Sequence, residues 1–178
     1  MYQNWEELEE NAKKCTKCKL CNGRKNVVIG TGNKNAKIMF IGEGPGADED
    51  EQGIPFVGKA GQLMNKALAG LGINREEIYI ANVVKCRPPQ NRNPEKEEAD
   101  SCKEYLESQI NLVKPEIIVL LGSVALKNVL GEEYGITQSR GKWLEKDGIK
   151  ILPTFHPAAL LRDETKKIYF WQDLKQIK

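Results

Sequence analysis

Residues 37–63 read K-I-M-F-I-G-E-G-P-G-A-D-E-D-E-Q-G-I-P-F-V-G-K-A-G-Q-L and fall into three parts. Lys37 to Ile41 is a short apolar run of the kind buried in a sheet, whereas from Gly58 onward Leu63, Leu68 and Leu71 recur at helical spacing. The glycine-rich acidic segment between them is therefore a strand-to-helix loop, where α/β proteins keep their sites. Gly42, Gly44 and Gly46 with Pro45 permit a tight turn with bare amides, and Glu43, Asp48, Glu49 and Asp50 surround it with carboxylates. So much negative charge argues against a phosphate cradle. The G-x-G-x-x-G spacing of a dinucleotide loop is also missing, and no Gly-Lys-Ser/Thr follows. The loop reads as one that holds a carboxylate beside a neutral or electron-deficient substrate. The alternative is a turn whose acids merely solvate it.

Outward from this loop, strand and helix signals alternate. Upstream, Asn4 caps a helix through Lys14 whose Trp5, Leu8 and Ala12 share a face, and Val27–Ile29 is a strand candidate. Downstream, the β-branched run Ile78–Val84 leads into the proline-rich loop C-R-P-P-Q-N-R-N-P. Pro94 is placed at the first position of a helix with acids in its first turn, and Pro115 breaks that helix. Glu116–Leu121 is the most apolar strand, followed by Gly122, Ser123 and a helix to Leu130. After Gly141 two strand-like runs meet at Asp147-Gly148, a hairpin signal, and the second ends in H-P-A-A-L-L-R. A last helix, Thr165–Ile177, is expected to bury Ile168, Trp171 and Leu174. The pattern predicts one domain over residues 1–178, a three-layer α/β/α fold around a mostly parallel four-stranded sheet.

At 178 residues the chain can bury a real core, and its 29% charged and 40% hydrophobic residues suit a soluble globule. No apolar run is long enough to span a bilayer, and the acidic, amphipathic Met1–Glu10 does not read as a secretion signal, so a cytoplasmic protein is expected. The net charge is only +2, yet Lys13–Lys25 carries six Lys/Arg and no acid, and Lys85–Arg92 carries three. Such clusters are either solvated lysine surface or contacts for nucleic acid.

Five cysteines stand at 15, 18, 21, 86 and 102. In a cytosolic chain the C-x-x-C of Cys15 and Cys18 points to metal or redox chemistry rather than a disulfide, and its place ahead of the sheet weakens the redox reading. Cys86 ends a strand and Cys102 lies on the next helix, so four thiolates from separate elements could form an all-cysteine site. Spacing leaves tetrahedral zinc and a [4Fe–4S] cluster both open. Cys21 complicates the count by extending the run to C-x2-C-x2-C.

Taken together, C-T-K-C with R-K-N-V-V-I-G-T-G, G-E-G-P-G-A-D-E-D at Gly42, G-I-P-F-V-G-K-A-G at Gly53, N-V-V-K-C-R-P-P-Q-N-R-N-P at Asn82 and H-P-A-A-L-L-R at His156 resemble the family 4, iron–sulfur uracil-DNA glycosylases over nearly the whole chain. The resemblance implies a monofunctional glycosylase that excises uracil from single- or double-stranded DNA, a [4Fe–4S] cluster on Cys15, Cys18, Cys86 and Cys102, and no nucleotide cofactor. A monomer is expected, with no protein partner indicated. Cys21 departs from the pattern, the basic histidine-bearing loop of covalently trapping relatives is absent, and Glu43 distinguishes the chain from the G-D-A-P-G branch.

Breaking the bond from uracil N1 to the sugar leaves positive charge on the sugar and negative charge on the base, after the base has left the stack. Under the resemblance, Glu43 positions or polarises water and offsets the sugar, and His156, the lone histidine, donates to uracil O2. Phe56 stacks on the base, and Asn82 presents a donor and an acceptor to O4 and N3–H. Glu49 faces C5 and excludes thymine. Gly44 and Asn91 complete the substrate set. Ala158, Ala159, Leu160 and Leu161 form an apolar wedge, with Arg87 and Arg162 on the backbone. A different class, a non-catalytic iron–sulfur DNA-binding or redox-sensing module, would not need Glu43, Asn82 and His156 together.

Overall fold

A computed structural model describes residues 1–178. In chain order the elements are α1 (Trp5–Lys13), β1 (Thr31–Gly32), β2 (Ile38–Gly42), α2 (Ala47–Gln52), α3 (Lys59–Gly70), β3 (Tyr79–Asn82), α4 (Lys96–Val113), β4 (Ile117–Leu121), α5 (Ser123–Val129), α6 (Ile136–Ser139), β5 (Leu144–Lys146), β6 (Ile149–Thr154), α7 (Pro157–Arg162) and α8 (Lys167–Lys175).

The sheet runs β1-β3-β2-β4-β6-β5. Its middle four strands are parallel, as expected, while β1 and β5 add antiparallel edges and bring the total to six. Along the parallel strands side chains alternate between two cores. Met39, Ile41, Tyr79, Ala81, Ile118 and Leu120 face the layer that contains α4 and α5. Phe40, Ile80, Val119, Leu121 and Leu152 face α3, α7 and α8. Both faces are covered, which is why these strands read as unbroken apolar runs.

Several local expectations shift. Val27–Ile29 is not a strand: Val28 donates its N–H to the Lys85 carbonyl at 2.7 Å, beyond the end of β3, and pairing begins only at Thr31. The acidic loop contains a short helix, α2. Pro94 lies outside α4, whose N-cap is Glu95, because Glu98 reaches back to accept from the Glu95 N–H at 2.8 Å and sets the start there. Lys114 ends α4 in the left-handed region just before Pro115. On α8 the buried stripe is Phe170, Asp173 and Leu174, and Ile168 is 58% exposed. The phase is set by buried Asp173, which accepts from Arg140 and from Thr154 Oγ1 at 2.7 Å. The hairpin of β5 and β6 forms as read, with Asp147 and Gly148 both at positive φ.

Candidate active site

The C-terminal ends of β2, β3 and β6 open into one cavity of about 340 Å³, the position that parallel α/β sheets reserve for ligands. Glu43, Gly44, Glu49, Phe56, Asn82, Asn91, His156, Ala158 and Arg162 all line it. Every residue assigned to catalysis or base recognition is therefore in one place. Arg87 does not line the cavity; its Nε donates to Asn91 Oδ1 at 2.9 Å and holds that side chain at the rim.

The floor is built by close approach. A Cβ on Gly42 would stand 2.6 Å from both Asn82 Oδ1 and the Phe56 ring, so only glycine lets ring and amide meet over the end of β2. Phe56 is 5% exposed and sits at φ 54°, a left-handed conformation that costs a non-glycine residue energy. Arg75 maintains it: its guanidinium donates to the carbonyls of Pro55 and Phe56 and to Asn65 Oδ1. Nothing local in the sequence marks Arg75, which reaches the loop from a turn after α3.

Asn82 is 2% exposed, and its Oδ1 is the one buried side-chain polar atom without a partner. Buried acceptors are nearly always satisfied, and with no protein donor in reach this one is open to a donor in the cavity. Its backbone is clamped from below, where the buried Lys85 ammonium donates to the Asn82 carbonyl at 2.7 Å and to Gln109 Oε1 at 2.6 Å.

His156 caps α7. Its Nδ1 accepts the Ala158 N–H at 3.0 Å, which leaves the imidazole proton on Nε2. Burial first, then the nearby Arg162 charge, lowers its pKa to about 4, so the ring is neutral near pH 7 and can still donate. The ring lies 5.4 Å from that of Phe56, with planes 30° apart. Glu43 is half-buried, and burial raises its pKa while Arg162 pulls it back.

Glu49 differs from its expected part. Oε1 accepts from the Gly46 N–H at 3.0 Å, and Oε2 accepts from the N–H groups of Val57 and Gly58 at 2.9 and 2.8 Å. It lines the cavity, but its carboxylate is occupied in stapling the two sides of the loop together. The segment expected to form an apolar wedge exposes less than that reading requires. Leu160 is fully buried in the core that contains α3 and α8, Ala158 and Ala159 are half-buried, and Leu161 alone projects, 47% exposed. Helical periodicity turns one of two adjacent leucines inward.

A second, smaller cavity is lined by Cys15, Cys18, Cys21, Cys86 and Cys102. All five are free thiols, and as placed no three of them close around a single ion. Burial pushes the Cys86 thiol up to about 11 and raises Cys102 and Cys18. Arg24 Nη1 donates to the Cys15 carbonyl at 2.6 Å and to Cys86 Sγ at 3.4 Å. The next residues tie this segment to the acidic loop: the N–H groups of Lys25 and Asn26 both donate to buried Asp50 on α2.

Residues 29–175 match the family model of the uracil DNA glycosylase superfamily. The chain is 47% identical to a type-4 uracil-DNA glycosylase of Thermotoga maritima over 94% of its own length and 90% of the relative's. It is 43% identical to those of Sulfurisphaera tokodaii (97% and 83%) and Saccharolobus solfataricus (98% and 85%). Matches of that extent, on a chain whose strand ends gather Glu43, Asn82 and His156 around one pocket, mean that it belongs to the type-4 branch of the uracil-DNA glycosylase superfamily.

Proposed function

We propose that the protein is a monofunctional glycosylase that takes uracil, flipped from single- or double-stranded DNA, into this cavity and hydrolyses its bond to the sugar. The observation that carries this reading is the unpartnered Oδ1 of Asn82 beside the Phe56 ring. Uracil N3–H would satisfy that acceptor while O4 accepts a hydrogen bond from the Nδ2–H of the same amide. Cytosine presents an acceptor at N3 and a donor at C4, so the buried amide would be left with two mismatched groups.

As the glycosidic bond lengthens, charge grows on the departing base. The Nε2–H of His156, its tautomer fixed by the Nδ1 bond to Ala158, would donate to O2, and a neutral donor gains strength as the acceptor becomes anionic. Glu43 serves the opposite face, orienting water and offsetting the cationic sugar. Leu161 occupies the gap left in the stack, and Arg162 and Arg87 meet phosphates.

The thiols of Cys15, Cys18, Cys86 and Cys102 would hold a [4Fe–4S] cluster. Four cysteines from three chain segments line one small cavity and suit a four-iron cube, which takes one thiolate per iron. Bound there, the group braces the N-terminal segment and the Cys86 loop. We assign the protein to the cytoplasm as a monomer; no helix is long and apolar enough to cross a membrane.

The test is a uracil-containing oligonucleotide, single-stranded and in duplex, followed by alkali. Strand scission at uracil in both, absent from matched cytosine and thymine controls, is expected. DNA binding without scission would make the protein a non-catalytic module and overturn the reading.

A further inference from the structure

Among the hydrogen bonds of the pocket, none reaches the Glu43 carboxylate from α2 or α7. The group that does face it is Asn93. With Nδ2 of its amide toward the carboxylate, that nitrogen stands 3.3 Å from both Oε1 and Oε2. The opposite orientation would set three acceptor oxygens against one another, so the surroundings decide the amide.

Asn93 is not left free to wander, although its side chain is exposed. Arg92 forms a bidentate pair with Glu98 on α4, at 2.7 and 2.8 Å, and the same guanidinium donates to the Asn93 carbonyl at 3.0 Å. The Glu98 side chain is 1% exposed and also accepts the Glu95 N–H at the start of α4. A rigid strut therefore runs from the first turn of α4 through Arg92 to the backbone of Asn93. Bidentate arginine pairs of this kind fix geometry as well as contribute energy.

We infer that Asn93 is a positioning residue for Glu43: its amide donates to both carboxylate oxygens, fixes their orientation toward the cavity and favours the anion, with Arg92 and Glu98 holding Asn93 in place. The inference rests on the reading of Glu43 as the carboxylate that serves the reacting water and sugar. The remaining charged or titratable groups around the pocket are Glu49 on α2, engaged by three amides, Arg92, engaged by Glu98, neutral His156, and Arg162 at the end of α7. Arg162 supplies the one attractive charge that acts on Glu43 against burial. A short-range donor is the partner this half-buried carboxylate otherwise lacks.

The experiment follows the Glu43 carboxyl carbon by ¹³C NMR in the full chain without DNA, assigned with Glu43→Gln, in the wild type and in Asn93→Ala, Asn93→Asp and Asn93→Gln. Asn93→Ala is expected to raise the titration midpoint, because the anion loses its donor. Asn93→Asp raises it further through like charge, and Asn93→Gln keeps it near wild type. Single-turnover excision by Asn93→Ala should fall about tenfold at the acid end of the profile and less than about threefold on the alkaline plateau, with DNA affinity unchanged. An unmoved midpoint in both Asn93→Ala and Asn93→Asp overturns the inference, as does an equal loss of rate at every pH. Failure of the wild type to release uracil would strike the role given to Glu43, while the titration would still decide whether Asn93 acts on it.

Discussion

His156 is held neutral by burial and by Arg162, which lower its pKa to about 4, and its place as the cap of α7 puts the remaining N–H on Nε2. His156→Ala should slow single-turnover excision about a hundredfold, the usual loss for one donor to a developing anion, and leave DNA affinity nearly unchanged. Rates within about threefold of wild type would make the residue structural. The pH sign follows from burial. A histidine held neutral contributes stability that is present above its ordinary pKa of 6.5 and is lost as pH falls through about 4, because the unfolded chain takes up its proton first. The Tm values of wild type and His156→Ala should therefore converge as pH is lowered from about 6.5 to about 4. Glu49 also carries a prediction. If it excludes thymine only by standing near C5, Glu49→Ala admits thymine from a mismatch without loss of stability. Because it accepts from Gly46, Val57 and Gly58, we expect thymine excision to appear together with a lower Tm, since three amides lose a charged acceptor. An unchanged Tm would show that the staple contributes little.

At the scale of elements, the site is set by where β2, β3 and β6 stop and by how closely Gly42 lets their loops approach. Gly42→Ala should preserve the fold and abolish more than about 99% of activity, because the added methyl must displace the Phe56 ring or the Asn82 amide. Arg75→Met tests the same surface from behind. Without donors for the Pro55 and Phe56 carbonyls, the left-handed Phe56 should relax, and uracil KM should rise more than kcat falls, since a platform acts on bound base before and during reaction. These elements differ in how far the sequence discloses them. The parallel strands were legible because a strand covered on both faces is a continuous apolar run, and Glu43, Asn82 and His156 were legible because each stands in a local motif next to a strand end, Phe56 because it stands in the motif between α2 and α3. Arg75, Asn93 and the Arg92–Glu98 pair were not, since their roles arise from contacts between segments far apart or from a side-chain angle within a loop. Leu160 and Leu161 are alike in sequence, and only the phase of α7 against α3 and α8 separates them.

In the whole molecule, the N-terminal segment is joined to the sheet at the cysteine cavity and through Asp50. Purified protein should be brown, and Cys86→Ala or Cys102→Ala should bleach it and lower its Tm sharply, whereas Cys21→Ala should do neither. Bleaching by Cys21→Ala with colour kept in Cys102→Ala would reassign the ligands. Asp50 ties the two regions independently of any thiol, so Asp50→Ala should weaken the fold even in a protein that keeps its colour. The cysteine cavity also imposes an order on biosynthesis. Cys15 and Cys18 leave the ribosome first, Cys86 follows β3, and Cys102 arrives only with α4, so the pocket has no fourth wall until more than half the polypeptide has been made. A cluster held by these thiols would have to be delivered late, to a chain whose first strands are already seeking partners, and a nascent chain stalled before α4 would present two N-terminal thiols with nothing to close over them.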